Sequence, residues 1–290
     1  MINLFEPFQN ISDQRYILAR DDPRFHKEKE FLERLWSVFE PFADPDFKSE
    51  LAKQFQPRFW EMYLACTFIE AGFNLIPRKC SYGPDIHFKY NRKNFWVEAT
   101  APDAGSGIDA VPGYPEGCNV IRVPEEQILL RLTNSIHEKS QKYIEYLDLG
   151  LISGEDIYII AINGYDIPSI RQSDEIPFIV KSVLPFGNLT VTIDIDKMKS
   201  IDTFYSYRGY IKKRSGANVP TKTFQNPDFS YISGIIFSIA DLWNLPQSLG
   251  CDFLFVHNPL AKHRIDLDWL CKGKVFWVEE NQLKFKECNN

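Results

Sequence analysis

No stretch of the 290 residues approaches the roughly 18–20 consecutive apolar residues that a membrane-spanning helix needs, so no transmembrane segment is expected. Residues Met1 to Ile11 lack a basic head followed by an apolar run, and no secretory signal is read there. Cysteine is sparse and scattered, at 66, 80, 118, 251, 271 and 288, with no Cys-x-x-Cys pair. That argues against a disulfide scaffold or a structural zinc site; reduced thiols in a cytoplasmic protein are the expectation. The histidines at 26, 87, 137, 257 and 263 have no metal-ligand spacing. No Gly-x-Ser-x-Gly elbow occurs. The glycine-rich stretch from Ala104 to Ile108 has no lysine at phosphate-loop spacing, so a nucleotide fold is not supported. Positive charge is in deficit too: 33 Lys and Arg against 39 Asp and Glu leave a net charge of −6. A protein that coats nucleic acid needs the opposite balance, because phosphate binding is driven by Lys and Arg. An enzyme with a local basic groove remains compatible.

The residues that are abundant suit a globular protein. Hydrophobic residues make up 44% of the chain and charged ones 25%, and 23 Phe with 13 Tyr can fill a sizeable core. The first quarter reads as helical. Asp22-Pro23 opens a helix over 22–41 on which Phe31, Leu32, Leu35, Trp36 and Phe39 recur at helical spacing. A second helix is expected over 46–54, and Pro57 opens a third that Gly72 stops. The texture then changes. Runs at 86–90 and 95–100 flank Asn91-Arg92-Lys93-Asn94 and read as a β-hairpin. Residues 101–124 form a long loop, and Pro124-Glu125-Glu126 opens a helix to about 147. An apolar strand follows at 157–163. Further strands are expected at 189–195, 232–238 and 252–257, short helices at 178–184 and 240–244, and a terminal hairpin at 274–286. No clean linker divides the chain, so one α/β domain is expected.

The most informative stretch pairs Gly83-Pro84-Asp85 with Glu98-Ala99-Thr100. Asp85 starts the first strand of the hairpin and Glu98 lies near the end of the second, so a suitable register brings the two carboxylates onto one face. Two such groups beside a phosphate would hold Mg²⁺ or Mn²⁺, which would activate water. A third acid lies on the helix after Pro57. At 100° per residue Glu61 falls in an arc with Met62, Ala65, Phe68 and Ile69. A glutamate turned into a core needs a partner: a metal, or a core arginine.

This order of helix Glu, Gly-Pro-Asp, hairpin, apolar-x-Glu, helix and apolar strand resembles the PD-(D/E)xK nuclease superfamily over about residues 55–165. The resemblance implies a restriction-endonuclease-like three-layer α/β/α core with a mixed central sheet. Residues 1–54 would be a helical N-terminal cap, and 166–290 would add C-terminal strands. It maps the family's helix Glu onto Glu61, its motif Asp onto Asp85 and its second acid onto Glu98, with the backbone carbonyl of Ala99 as a further metal ligand. Metal-dependent hydrolysis of DNA or RNA is what it implies, with Mg²⁺ or Mn²⁺ as cofactor. Thr100 stands where the family has a lysine, and threonine supplies no positive charge.

The next helix offers a substitute. Lys139 falls inside the apolar arc of Ile128, Leu132, Ile136 and Tyr143, with Lys142 beside it. Either Lys139 supplies the missing charge, or it lays its stem along the core and reaches water at its tip. Residues 205–224 carry Arg208, Lys212, Lys213, Arg214 and Lys222 without an acid, interleaved with Tyr205, Tyr207 and Tyr210. A mobile basic loop that contacts nucleic acid through Arg208, Lys212, Lys213, Arg214 and Tyr210 is one reading; a solvated surface loop is the other. Asp103 and Asp109 either join the metal site or make loop turns. Because of Thr100 and the acidic balance, a non-catalytic relative that binds nucleic acid or a protein stays beside the nuclease expectation.

Overall fold

The computed structural model describes residues 3–8, 11–78, 82–114, 117, 122–173, 175–197 and 199–288. Cys80 and Cys118 fall outside them; Cys66, Cys251, Cys271 and Cys288 are free thiols. No helix among the described residues is long and apolar enough to cross a membrane.

Four helices come first: α1 (Gln14–Asp21), α2 (His26–Phe39), α3 (Phe47–Lys53) and α4 (Phe55–Glu70). Then follow β1 (Ile86–Tyr90), β2 (Lys93–Thr100), α5 (Glu125–Asp148) and β3 (Ile157–Asn163). After them come α6 (Phe178–Val183), β4 (Phe186–Asp194), β5 (Lys199–Tyr207), β6 (Tyr210–Lys212) and β7 (Asn218–Pro220). The chain closes with β8 (Ile232–Ser238), β9 (Leu254–His257), β10 (Lys274–Glu279) and β11 (Gln282–Glu287). The fold is α/β. Its seven-stranded mixed sheet has the order β1-β2-β3-β8-β9-β10-β11. β2, β3 and β8 run parallel, as do β9 and β10, while β1/β2, β8/β9 and β10/β11 are antiparallel.

The central strands explain the layering. β3 reads Ile-Tyr-Ile-Ile-Ala-Ile-Asn and is buried at every position, as expected of a parallel strand covered on both faces. Its alternate residues go to opposite sides. Ile157, Ile159 and Ala161 join the core beneath α2, α3 and α4, whereas Tyr158, Ile160 and Ile162 join the core beneath α5 and α6. α4 is apolar on nearly all sides because it lies between the sheet and the other N-terminal helices; Trp60 Nε1 donates to the Ala161 carbonyl at 3.1 Å and fixes it to β3.

Several elements differ from the sequence expectation. α1 is absent from it. Its short helix is started by Asp13, whose side chain accepts from the Arg15 N–H, and its weak apolar periodicity left no pattern to read. Residues 240–244 make a tight turn instead of a helix: Asp241 Oδ1 accepts from the Trp243 N–H at 3.1 Å, and Asp241 bridges Asn244. The basic segment 205–224 is not a structureless loop. It contains the end of β5, the β6–β7 hairpin and the start of a 3-10 turn. β4 and β5 form a separate two-stranded arm, on which Leu189, Val191, Ile193, Ile201 and Phe204 are all exposed.

His257, at the end of β9, is buried and its Nε2 has no hydrogen-bond partner among the described residues. Burial, helped by Lys286, lowers its pKa to about 4. Between about 4 and the unfolded value of 6.5 the unfolded chain therefore binds more protons, so this contribution is full above pH 6.5 and is lost as pH falls through that window. The wild type is expected to lose about 2–3 kcal/mol more stability than His257→Phe between pH 7 and pH 4.5. Urea melts at the two pH values check this; equal losses would exclude it.

Candidate active site

Gly83 has φ +141°, a conformation that L side chains rarely adopt, and with Pro84 it turns the chain into β1 so that Asp85 sits just before Ile86. In the β1/β2 register Ile86 faces Val97, so one further step sets Asp85 across from Glu98. Val97 belongs to the core on the α4 side, and Glu98, its neighbour on β2, points to the α5 side. There Lys139 Nζ donates to Glu98 Oε1 at 2.7 Å and Tyr146 Oη donates to Glu98 Oε2 at 3.1 Å. Lys139 and Tyr146 are two helical turns apart, on one stripe of α5. Lys139 is held from behind as well, since its own carbonyl accepts from Tyr158 Oη at 3.0 Å.

Asp85 Oδ2 accepts the Ala99 N–H at 2.7 Å, while Oδ1 lies 3.6 Å from Arg78 Nη1. Because an extended residue directs its N–H and C=O to the same edge of the strand, the Ala99 carbonyl also faces the Asp85 side of β2. Glu61 reaches the same centre from α4. Both its oxygens are taken, by Arg58 Nη1 at 2.8 Å and by Arg78 Nη2 at 2.8 Å; Arg78 Nη2 also binds Asp44 at 3.0 Å. The arginine partner expected for Glu61 is present twice over.

Asp85, Glu61 and Glu98 thus form one electrostatic unit with Arg58, Arg78 and Lys139. Burial raises the Asp85 carboxyl, against the pull of Arg78, the Ala99 N–H and Lys139. Burial and then the Asp85 charge push Glu98 up to about 7, opposed by Lys139 and Tyr146. The same two causes push Glu61 up to about 7, opposed by Arg78 and Arg58. Asp85 is the shared neighbour, and both glutamates feel its charge.

The donor set is chemically suited to a hard divalent cation. Asp85, Glu98 and the Ala99 carbonyl offer oxygen only, and Mg²⁺ is commonly bound through one or two carboxylates together with water and substrate phosphate. A carboxylate has about four lone-pair sites, so the contacts to Lys139 and Tyr146 leave Glu98 further acceptor capacity. Glu61 has each of its oxygens on a guanidinium group, so its charge is matched by arginine. No group of three or more His, Cys, Asp or Glu among the described residues is arranged to hold a metal.

The remaining candidates lie elsewhere. Lys142 pairs with Glu145 at 3.2 Å and sits over the Tyr82 ring. Asp103 pairs with Arg131 and accepts the Gly105 N–H, and Asp109 accepts the Arg214 N–H; both serve loop structure. Arg208 bonds Glu125 at 2.5 Å, beside the buried Lys181, and belongs to the packing of α5 against α6. Lys212 and Tyr210 are exposed on β6, next to Lys213 and Arg214 at its turn. Three residues of the centre escaped sequence reasoning. Arg78 stands just before Gly-Pro-Asp, Arg58 one turn before Glu61, and Tyr146 seven residues after Lys139. The Arg58–Glu61 and Lys139–Tyr146 spacings are usable signals, since each sets its two residues on one helix face.

Compared with known proteins, the chain matches no family model, no curated protein and no solved structure at a significant level.

Proposed function

We propose that the protein is a metal-dependent phosphodiesterase acting on nucleic acid, built on a restriction-endonuclease-like arrangement of α4, β1, β2, α5 and β3. The observation that carries this reading is the juxtaposition of Asp85 with a Glu98–Lys139 pair at 2.7 Å. The positive charge that Thr100 cannot provide is present, delivered from the neighbouring helix. Asp85, Glu98 and the Ala99 carbonyl would hold Mg²⁺ or Mn²⁺, which when bound supplies an activated water and stabilises charge on the phosphate. Lys139 keeps Glu98 oriented and has N–H donors left for water or a phosphate oxygen. Arg78 bridges Glu61 and Asp85, and so positions the Asp85 carboxylate from behind.

The test is cleavage of plasmid, single-stranded DNA and RNA in Mg²⁺, Mn²⁺ or EDTA, with wild type beside Asp85→Asn and Glu98→Gln. Cleavage by the wild type that needs metal and falls by about a thousandfold in each variant is the expected outcome. Full activity in both purified variants would refute the assignment. A folded wild type that cleaves nothing would favour the non-catalytic relative.

A further inference from the structure

A concavity lies on the other side of α5 from the Glu98–Lys139 contact. It is a cavity of about 1060 Å³ between the loop after β2, the outer side of α5 and the segment that follows β6. That is ample for a small ligand, since ordinary ligand pockets run to about 1,000 Å³. Its apolar lining includes Leu130, Ile136, Val219 and Phe229, and its cations are Arg131, Lys213 and Lys222. Of the acids in the lining, Asp103 pairs with Arg131, while Asp109 and Glu138 accept from neutral donors, the Arg214 N–H and Asn134 Nδ2 at 2.7 Å, and keep their charge. Lys213 and Lys222 have no carboxylate at ion-pair distance among the described residues, so two ammonium groups of the rim are left to meet an anion.

Thr133 supplies an independent sign of a ligand. It lines the cavity, is nine-tenths buried, and its Oγ1 has no hydrogen-bond partner among the described residues. Other buried helical hydroxyls among the described residues donate to a carbonyl three or four residues back: Thr67 to Tyr63 at 2.8 Å, Ser135 to Arg131 at 3.1 Å, Ser140 to His137 at 2.6 Å and Ser182 to Ile179 at 2.7 Å. Threonine in a helix divides between two χ1 rotamers, and exchanging them swaps methyl and hydroxyl at the cavity wall.

We infer that this cavity receives one unstacked nucleotide of a single-stranded segment, its phosphate between Lys213 and Lys222 and its base over Phe229, within reach of Thr133 and Asn134. The inference rests on the reading that nucleic acid is the ligand, and does not require cleavage. Its chemistry is that of a nucleotide: an anion-binding rim, amide and hydroxyl groups for a base edge, and an apolar surface for a π-face. A base stacked in a duplex cannot enter a concave site without being turned out. The placement also fits the acid centre. Asn134 and Glu138 line the cavity, and their neighbours Ser135 and Lys139 lie on the α5 stripe that faces Glu98. A strand with one base in the cavity would pass its backbone by Lys139.

The experiment uses the full chain carrying Asp85→Asn, in EDTA, so that nothing is cut. Single-stranded and duplex oligonucleotides with one 2-aminopurine are titrated by fluorescence, with free AMP as competitor. Single strand is expected to bind with a change in 2-aminopurine emission, duplex at least about tenfold more weakly, and AMP is expected to compete. Lys213→Glu with Lys222→Glu should weaken binding by more than about tenfold, Thr133→Val by about tenfold, and Ala110→Trp, which fills the cavity, should remove the emission change while the Tm is kept. Wild-type-like binding by the double-lysine and Ala110→Trp proteins would overturn the inference, as would no binding of any strand or of AMP. If AMP binds through the cavity and strands do not, the site is one for free nucleotides and the strand assignment is overturned. Metal-dependent cleavage that survives in the cavity variants would remove this proposal and leave the phosphodiesterase standing; cavity binding in a protein that never cleaves would do the reverse.

Discussion

Replacing Lys139 with methionine is expected to lower metal-dependent cleavage by about a thousandfold, while Lys139→Arg keeps a measurable fraction. The side chain touches Glu98 at 2.7 Å and carries the only cation on the α5 side of the Asp85–Glu98 pair among the described contacts. Methionine keeps much of the aliphatic stem, so packing along α5 changes little. The charge left behind is Glu98, which is buried and already held up to about 7. Near neutral pH it relieves its loss of a partner by taking up a proton, at a cost limited by that raised value. The fall in activity should therefore far exceed the fall in stability, and a thermal melt beside the cleavage assay separates the two. Lost stability with full activity would assign Lys139 to the fold alone.

The largest effect on stability is expected at Arg78. Arg78→Met should destabilise the protein by about 3–5 kcal/mol, because it removes one partner of a buried ion pair and leaves the other without its fork. Arg78 binds Glu61 and Asp44 and approaches Asp85, with its side chain 14% exposed. Glu61 is 6% exposed and would keep only Arg58, whose own side chain is 30% exposed. Combining Arg78→Met with Glu61→Leu should recover much of the loss, since well-packed apolar replacements of a buried pair are often neutral or better. Urea melts of the two single variants and the double variant form the cycle; additive losses would mean that Glu61 and Arg78 are not coupled.

Elements with a strong period were readable in the sequence, and those fixed by long-range partners were not. α5, β3, β8 and both sheet hairpins lie within a few residues of where pattern and turn chemistry put them. The hairpin turns at Asn91-Arg92 and Glu280-Asn281 carry positive φ at both residues, which explains why those short polar breaks marked them well. α1 and the 240–244 turn depend on Asp13 and Asp241, acids that also bind partners far from them in sequence, the Phe55 N–H and Arg15 respectively, and no local window contains that information. The same division holds in the candidate site. Asp85 and Glu98 are near neighbours in a hairpin, so their approach follows from register. Arg78's hold on Glu61 depends on how the chain between α4 and β1 returns across the sheet edge, which spacing alone does not specify. The basic segment was visible as composition only; that Arg208 is used up inside the packing while Lys213 and Lys222 have no ion-pair partner among the described residues is a property of the folded chain.

The centre draws its groups from both faces of the sheet, and this has a consequence for when it exists. Glu61 and Arg78 leave the ribosome first, then Asp85 and Glu98, and only much later the helix that carries Lys139 and Tyr146. Until α5 has been made and has docked on β3, the acids have no counter-charge on that side and no wall to hold Glu98. A growing chain, or one that has lost α5 from the sheet, therefore carries every acid of the centre without its constellation. The constellation is complete only once β3 has been made and the second layer has closed on it, a little past the midpoint of the chain.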